Sequence, residues 1–204
     1  DVTHTERGGR VQGADPSAVS DRAKKRGLSQ VGSLGGGNHF LEVDVVREIY
    51  DADVAEAFGL QDNQIVVQIH CGSRGFGHQV CTDHVKKLQS AAEKYDAQPP
   101  NRQLAWAPVD SPEGRAYYAA MACAANYAFV NRQVLAAGVR EAFEQALRGR
   151  VQDLSLFQIY DVAHNIASFE EHEVDGQQIE LCVHRKGATR AFAAGHDELP
   201  ADYR

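Results

Sequence analysis

An alanine-rich stretch from residue 112 to 148 constrains the fold of this chain more than any other feature. Tyr, Phe, Val and Leu recur in it at helical spacing, which predicts one long helix. Short apolar runs, long enough only for strands, lie on both sides of it. The chain therefore has to combine a long helix with strands, and we expect one α+β unit.

The remaining elements are predicted from local patterns. Asp15-Pro16 is typical of a helix start, and Gly27 of the position just after a helix, so a short helix is expected over 15–26. A second helix is expected over 78–95. Strands are expected over 40–49, 65–69 and 154–160, and the run at 65–69 is apolar enough for a buried central strand. Asp175-Gly176 predicts a hairpin that pairs 169–174 with 179–184.

Composition excludes several classes of protein. The 204 residues carry a formal net charge of −7, which argues against a protein that holds nucleic acid by a blanket of positive charge. No window resembles a membrane span, and we expect a soluble protein. The four cysteines contain no CxxC pair, which favours reduced thiols in the cytoplasm. Any metal site must therefore depend on histidines and carboxylates.

Three histidines occupy positions suited to a ligand site. His39 follows a glycine-rich loop, and His70 and His164 each follow a predicted apolar strand. Because open sheets place ligands at strand ends, the three imidazoles could converge on one metal ion. The alternative at each position is an ordinary buried, hydrogen-bonded histidine.

Two segments could bind phosphate. The turn at 72–77 contains three glycines and Arg74, and successive backbone N–H groups after a strand form a nest for an anion. An ordinary tight turn explains the glycines equally well. The basic run at 184–190 is by default solvated charge, although Lys186 directly after a predicted strand suits a phosphate contact. Cys71 is a candidate soft ligand or partner of His70, with a buried spectator thiol as the alternative.

Four motifs resemble, in the same order, those of the RtcB family of RNA-splicing ligases. They are GGNHFLEV at 36–43, HCGSRGFGHQ at 70–79, DVAHNIA at 161–167 and HRKGATRAF at 184–192. The resemblance covers essentially the whole chain. It implies a mixed β-sheet core flanked by helices, and we expect residues 1–204 to be the central part of a single catalytic domain.

The resemblance also implies an activity, which is GTP- and manganese-dependent RNA ligation. Such enzymes join an RNA 3′-phosphate or 2′,3′-cyclic phosphate to a 5′-hydroxyl through a guanylylated histidine, in tRNA splicing or RNA repair, with two Mn²⁺ ions per site. The implied partners are GTP, RNA with those ends and, as an open possibility, an activating helper protein. No membrane partner is implied.

The family's site residues carry over where the motifs match. The resemblance implies manganese binding by His39, His70 and His164, and guanine-nucleotide binding by Asn38, Phe40, Glu42 and Asn165. It implies phosphate or RNA contacts by Arg74, Arg185, Lys186 and Arg190.

Two family motifs do not occur in these residues. They are an upstream Asp-x-x-Cys motif, which completes the metal sites, and a downstream His-Gly-Ala-Gly-Arg motif, which carries the guanylylated histidine. No histidine of this chain is therefore predicted to be the nucleophile. A non-catalytic module that binds metal and nucleotide, and a metal-dependent phosphoesterase, remain the alternative functions.

Overall fold

The computed structural model of the chain describes residues 1–95, 99, 101, 104–152 and 154–204. Its helices are α1 (Asp21–Leu28), α2 (Ala52–Ala57), α3 (Arg74–Lys94) and α4 (Pro112–Leu147). Its strands are β1 (Phe40–Val45), β2 (Ile65–His70), β3 (Asn165–Val174) and β4 (Gln177–Lys186). Short 3₁₀ turns lie at Val2–His4, Glu6–Gly9, Pro16–Ala18 and Ala201–Tyr203. The predicted α+β class is confirmed.

The long helix α4 is the central support of the fold. The Ser111 side chain caps it by accepting a hydrogen bond from Gly114 N at 3.0 Å, and Pro112 occupies its first turn. The prediction of a helix over 112–148 is confirmed. Within the described part of the chain, no helix combines the length and the apolar character needed to cross a membrane.

Helices α1 and α3 pack with α4 around one apolar cluster. Its buried members are Val19, Ala23, Phe76, Val80, Ala120 and Ala124. The helix predicted over 15–26 is divided, because Asp15 caps only a 3₁₀ turn and Ser20 caps α1. Gly27 lies inside α1 and not after it. A Cβ at Gly27 would lie 3.0 Å from the Phe76 ring, so close packing explains this glycine.

The strands form two separate antiparallel pairs in the described residues, and not the mixed sheet that was expected. Strands β1 and β2 pair with Phe40 opposite His70, and β3 and β4 pair with Asn165 opposite Lys186. The prediction that 65–69 is a buried central strand is wrong. In the described residues β2 pairs only with β1, and Ile65 is 45% exposed.

The prediction of a strand over 154–160 is also wrong. Side chains, and not a partner strand, donate hydrogen bonds to the backbone carbonyls of this segment. The carbonyl of Leu156 accepts from Arg140 Nε at 3.0 Å, and that of Gln158 accepts from His4 Nδ1 at 2.8 Å. The Tyr203 hydroxyl donates to the carbonyl of Ile159 at 2.9 Å. Three backbone carbonyls of this segment are therefore hydrogen-bonded without a sheet ladder.

The predicted hairpin is confirmed and is longer than expected. Asp175 and Gly176 have φ values of 51° and 77°, as a type I′ turn requires. Strand β3 begins at Asn165 and β4 ends at Lys186, so the open end of the hairpin extends to the residue that follows His164.

Candidate metal centre

The fold brings the three predicted histidines together. Because β1 and β2 are antiparallel, His39 at the entrance to β1 lies beside His70 at the end of β2. The ring centroids of His39 and His70 are 5.7 Å apart, and those of His70 and His164 are 5.1 Å apart. The Nε2 atoms of His70 and His164 are 3.1 Å apart.

The route to this convergence differs from the one predicted. His164 does not follow a strand, because 154–160 is irregular, and it directly precedes β3. The site therefore forms where one hairpin opens and another begins, and not at the carboxyl ends of parallel strands.

A backbone carbonyl orients the His70 ring, and another lies within hydrogen-bond distance of His39. His70 Nδ1 donates to the carbonyl of Asn38 at 2.9 Å, and His39 Nδ1 lies 3.1 Å from the carbonyl of Leu34. A carbonyl oxygen can only accept, so a ring that donates through Nδ1 leaves Nε2 unprotonated and able to bind a metal ion.

The surroundings of His164 favour the neutral form of its imidazole ring. Burial lowers its pKa first, and the neighbouring His70, Lys186 and Arg132 lower it further. Since only a neutral imidazole can donate its lone pair, this shift favours ligation near neutral pH.

The geometry of the pair fits a divalent transition-metal ion. Two imidazole nitrogens bound to one ion at about 2.1 Å each lie roughly 3.0 to 3.4 Å apart. In the part of the chain that the structure describes, no group of three or more His, Cys, Asp or Glu side chains is arranged to hold a metal ion. Imidazole donors also suit zinc, iron or nickel, so the choice of manganese depends on the family and not on this donor set.

Arg74 lies beside His39. Its Nη1 is 3.1 Å from His39 Nδ1 and its Nε is 3.4 Å from Ser33 Oγ. His39 Nδ1 can accept from Arg74 or donate to Leu34, so the two contacts are alternatives. A Cβ at Gly35 would overlap the Arg74 guanidinium, which explains one glycine of the loop.

Two of the residues implied to bind nucleotide lie along β1. The Phe40 ring meets that of His70 edge to face, with centroids 5.3 Å apart. Glu42 is exposed and lies two residues further, on the same face of the strand as Phe40. Asn38 uses its backbone carbonyl to hold His70.

The open end of the second hairpin brings Lys186 to the same place. Asn165 lies opposite Lys186 in the register, and its Oδ1 accepts from Gly187 N at 2.9 Å. The effect of Lys186 on the pKa of His164 reflects this proximity. The Lys186 side chain is exposed, which leaves its ammonium group accessible.

Arg185 and Arg190 instead face carboxylates. Arg185 binds Glu170 through two hydrogen bonds of 2.6 and 2.8 Å, and Arg190 pairs with Glu198 at 2.6 Å. The hydrogen bonds from Arg185, helped by those from Ser168 and His172, lower the pKa of Glu170 to about 2 against the opposing effect of burial. A phosphate contact by either arginine stays a prediction, and it would have to compete with these ion pairs.

Asn131 was not predicted, although its side chain binds both the glycine-rich loop and the turn after β2. It is completely buried in α4, and its Oδ1 accepts from Gly32 N at 2.7 Å. Its Nδ2 lies 3.1 to 3.2 Å from the carbonyls of Ser33 and Gly72 and from Cys71 Sγ. The sequence could have indicated Asn131, because it is an asparagine at a core-facing position of an alanine-rich helix, and a buried side-chain amide needs hydrogen-bond partners.

Cys71 is a buried thiol that hydrogen-bonds its surroundings. It is 5% exposed, donates to the carbonyl of Leu34 at 3.1 Å and accepts from Asn131. Its sulfur is 4.0 Å from His39 Nδ1.

A cleft of about 1320 Å³ adjoins the three histidines. Its lining includes Asn38, His39, His70, Arg74, His164 and Asn165. The cleft therefore gives a ligand access to the histidines and to Arg74 from one side.

Comparison with known proteins gives one consistent result. The family model described as tRNA-splicing ligase RtcB matches residues 1–204. A tRNA-splicing ligase RtcB of Methanococcus maripaludis is 54% identical over the whole chain, and one of Archaeoglobus fulgidus is 53% identical. The chain spans 42% of the length of each of these relatives. A relative in Pyrococcus abyssi is 52% identical, and there the chain spans 22%.

Proposed function

The chain belongs to the RtcB family, and from this membership we propose that its protein is a GTP- and Mn²⁺-dependent RNA ligase. The proposed reaction joins RNA 3′-phosphate or 2′,3′-cyclic phosphate ends to 5′-hydroxyl ends, in tRNA splicing or RNA repair. The observation that carries the proposal is the 3.1 Å approach of His70 Nε2 to His164 Nε2, with Lys186 near His164 and Arg74 in contact with the neighbouring His39. It combines a metal-binding pair with two cations suited to phosphate.

The roles of the residues follow from their chemistry. His39, His70 and His164 would hold the metal ions, which supply charge neutralisation and orientation at the phosphates when bound. Arg74 offers a planar fork of donors to a phosphate, and Lys186 offers a mobile point charge.

The nucleotide residues account for a preference for guanine. Glu42 presents an exposed carboxylate, which accepts hydrogen bonds only, and the Watson–Crick edge of guanine offers N–H donors that adenine lacks there. Phe40 provides an aromatic face next to His70. Asn38 and Asn165 complete the proposed nucleotide contacts. The guanylylated histidine is not assigned to this chain.

RNA with the stated ends and GTP are the proposed partners, with a helper protein as a further candidate. The proposed location is the cytoplasm, which the four free cysteines support because thiols persist in a reducing compartment.

The test uses the complete gene product, labelled GTP and Mn²⁺. We expect a covalent GMP label on the protein, followed by joining of an RNA that carries 3′-phosphate and 5′-hydroxyl ends. His164→Ala should abolish the label, because it removes one of the two close nitrogens. His172→Ala is the matched control, because the ring of the exposed His172 hydrogen-bonds Glu170, which is not a residue of the proposed metal site, and the variant should label normally.

Other results would contradict the ligase. Release of inorganic phosphate from the RNA end without joining would indicate a phosphoesterase. Metal and GTP binding without a covalent label, under conditions in which a control ligase is labelled, would indicate a non-catalytic module.

A further inference from the structure

A buried ion pair joins α4 to the segment that precedes His164. Arg132 Nε donates to Asp161 Oδ1 at 2.6 Å, and the two side chains are 12% and 9% exposed. Burial raises the pKa of Asp161, and the guanidinium of Arg132 opposes that effect. Neither residue was predicted to belong to the site, although Asp161 is the first residue of the DVAHNIA motif.

The same guanidinium also binds the other histidine-bearing segment. Arg132 Nη1 donates to the carbonyl of Cys71 at 3.2 Å, and Cys71 directly follows His70. Asp161 lies three residues before His164. One side chain therefore connects the end of β2 to the approach to β3, the two segments that present the close pair of imidazoles.

Asp161 is itself firmly anchored. Its N–H donates to the carbonyl of His4 at 2.9 Å, and its carbonyl accepts from Glu6 N at 2.8 Å. Glu6 Oε2 in turn accepts from Ala163 N at 3.0 Å. A movement of the Arg132 side chain would therefore shift Asp161, and with it the hydrogen-bonded backbone that leads to His164.

The pair is poorly arranged for stability alone. Arg132 Nη2 and Asp161 Oδ2 are both buried, and among the described residues neither atom makes a hydrogen bond of ordinary length and angle. A fork of two parallel hydrogen bonds would satisfy both atoms, and a buried ion pair that leaves them unsatisfied gains little net free energy. The arrangement is explained if the guanidinium is held in place by Cys71 as well as by Asp161.

We propose that Arg132 is a positioning residue for the metal centre, which sets the separation of His70 and His164 by tying Cys71 to Asp161. Arg132 acts through these segments and does not touch the metal. The inference deepens the proposed function, because it needs the histidines to bind a metal ion but does not need ligation to occur.

The test is a Mn²⁺ titration of the complete protein, followed by the electron paramagnetic resonance signal of the free ion. Arg132→Lys keeps the charge but cannot reach both partners with the geometry of a guanidinium. We expect its Mn²⁺ affinity to fall about tenfold or more, as for other residues that orient metal ligands.

Arg140→Lys is the matched control. Arg140 lies two turns further along α4 and also binds a carbonyl and a carboxylate, those of Leu156 and Asp1, neither of which adjoins a histidine of the site. It should leave the Mn²⁺ affinity within about twofold of the wild type. Urea unfolding of both variants reports any general loss of stability.

A second pair of variants separates geometry from charge and does not depend on the folding of Arg132→Lys. Asp161→Asn keeps an oxygen within reach of Arg132 Nε, whereas Asp161→Ala removes the connection. We expect Asp161→Ala to weaken Mn²⁺ binding about tenfold, and Asp161→Asn to weaken it less.

Two results would overturn the inference. One is an affinity within twofold of the wild type in both Arg132→Lys and Asp161→Ala. The other is an equal loss in Arg132→Lys and Arg140→Lys. A failure of the ligase proposal would be seen separately, as the absence of a GMP label on the wild-type protein that still binds Mn²⁺.

Discussion

Two neighbouring glycines of the loop before His39 differ in how well they would tolerate a side chain. Gly35 has a φ of +91°, and a Cβ there would overlap the guanidinium of Arg74. At Gly36 a Cβ would meet nothing within 4 Å, and its backbone is not in the left-handed region. We therefore expect Gly35→Ala to lower the free energy of unfolding by about 1 to 3 kcal/mol. Gly36→Ala should change it by less than about 1 kcal/mol. Urea titrations of the two variants check this, and equal effects would contradict it.

Glu170 makes the stability of the protein depend on pH. Its pKa is lowered to about 2 by Arg185, whose guanidinium binds it directly. A carboxyl whose pKa is lowered by folding stabilises the protein fully above its unfolded pKa, near 4.5, and loses that contribution as the pH falls towards 2. The contribution is about 3 kcal/mol at most.

We expect Glu170→Gln to lower the free energy of unfolding by about 2 kcal/mol at pH 7, and by much less at pH 3. Glu171→Gln is the control, because Glu171 is the next residue of β3 and is exposed. Urea unfolding at the two pH values gives both numbers. A loss that does not depend on pH would show that the Glu170 charge is not the cause.

At the scale of elements, helix α4 positions the segments that carry the site residues. Consecutive residues, Asn131 and Arg132, hold the glycine-rich loop, the turn after β2 and the approach to β3. Asn131→Ala should cost about 2 to 4 kcal/mol, because it leaves several buried backbone groups without partners. It should also weaken Mn²⁺ binding.

Asn126→Ala provides the matched comparison on the same helix. Asn126 also binds backbone through its side-chain amide, which accepts from Val11 N at 2.7 Å and donates to the carbonyl of Val11 at 3.2 Å. Val11 lies outside the glycine-rich loop, the turn after β2 and the approach to β3. We expect a loss of stability with no loss of Mn²⁺ affinity. Equal Mn²⁺ affinities in the two variants would contradict the role of α4 in positioning these segments.

The sequence predicted elements whose signals are local. The helix over 112–148 and the turn at Asp175-Gly176 follow from spacing and turn chemistry, and both are confirmed. The segment 154–160 has a strand-like composition, but its partners are distant side chains such as Arg140 and His4, which no local pattern reveals. Arg132 and Asp161 were missed for the same reason, since their pairing spans 29 residues.

At the scale of the whole molecule, the chain carries four family motifs and spans 42% of the length of the relatives in M. maripaludis and A. fulgidus. The three histidines were predicted from their positions after a glycine-rich loop and after predicted strands, and the family resemblance implied the same three. The approach of His39 to His70 depends on an antiparallel register that the sequence did not predict. Because a ligand that binds only the folded state stabilises it, saturating Mn²⁺ should raise the Tm of the complete protein. The Tm of a His70→Ala, His164→Ala double variant should rise much less, and an equal rise would place the ion elsewhere.

The central claim is that one metal ion binds between His70 and His164. The most direct measurement is anomalous diffraction at the manganese edge from crystals of the complete protein soaked in Mn²⁺. The account predicts a peak about 2 Å from both Nε2 atoms. The absence of a peak between the two rings at saturating Mn²⁺, while the rings keep their 3.1 Å approach or while another site is fully occupied, would contradict it.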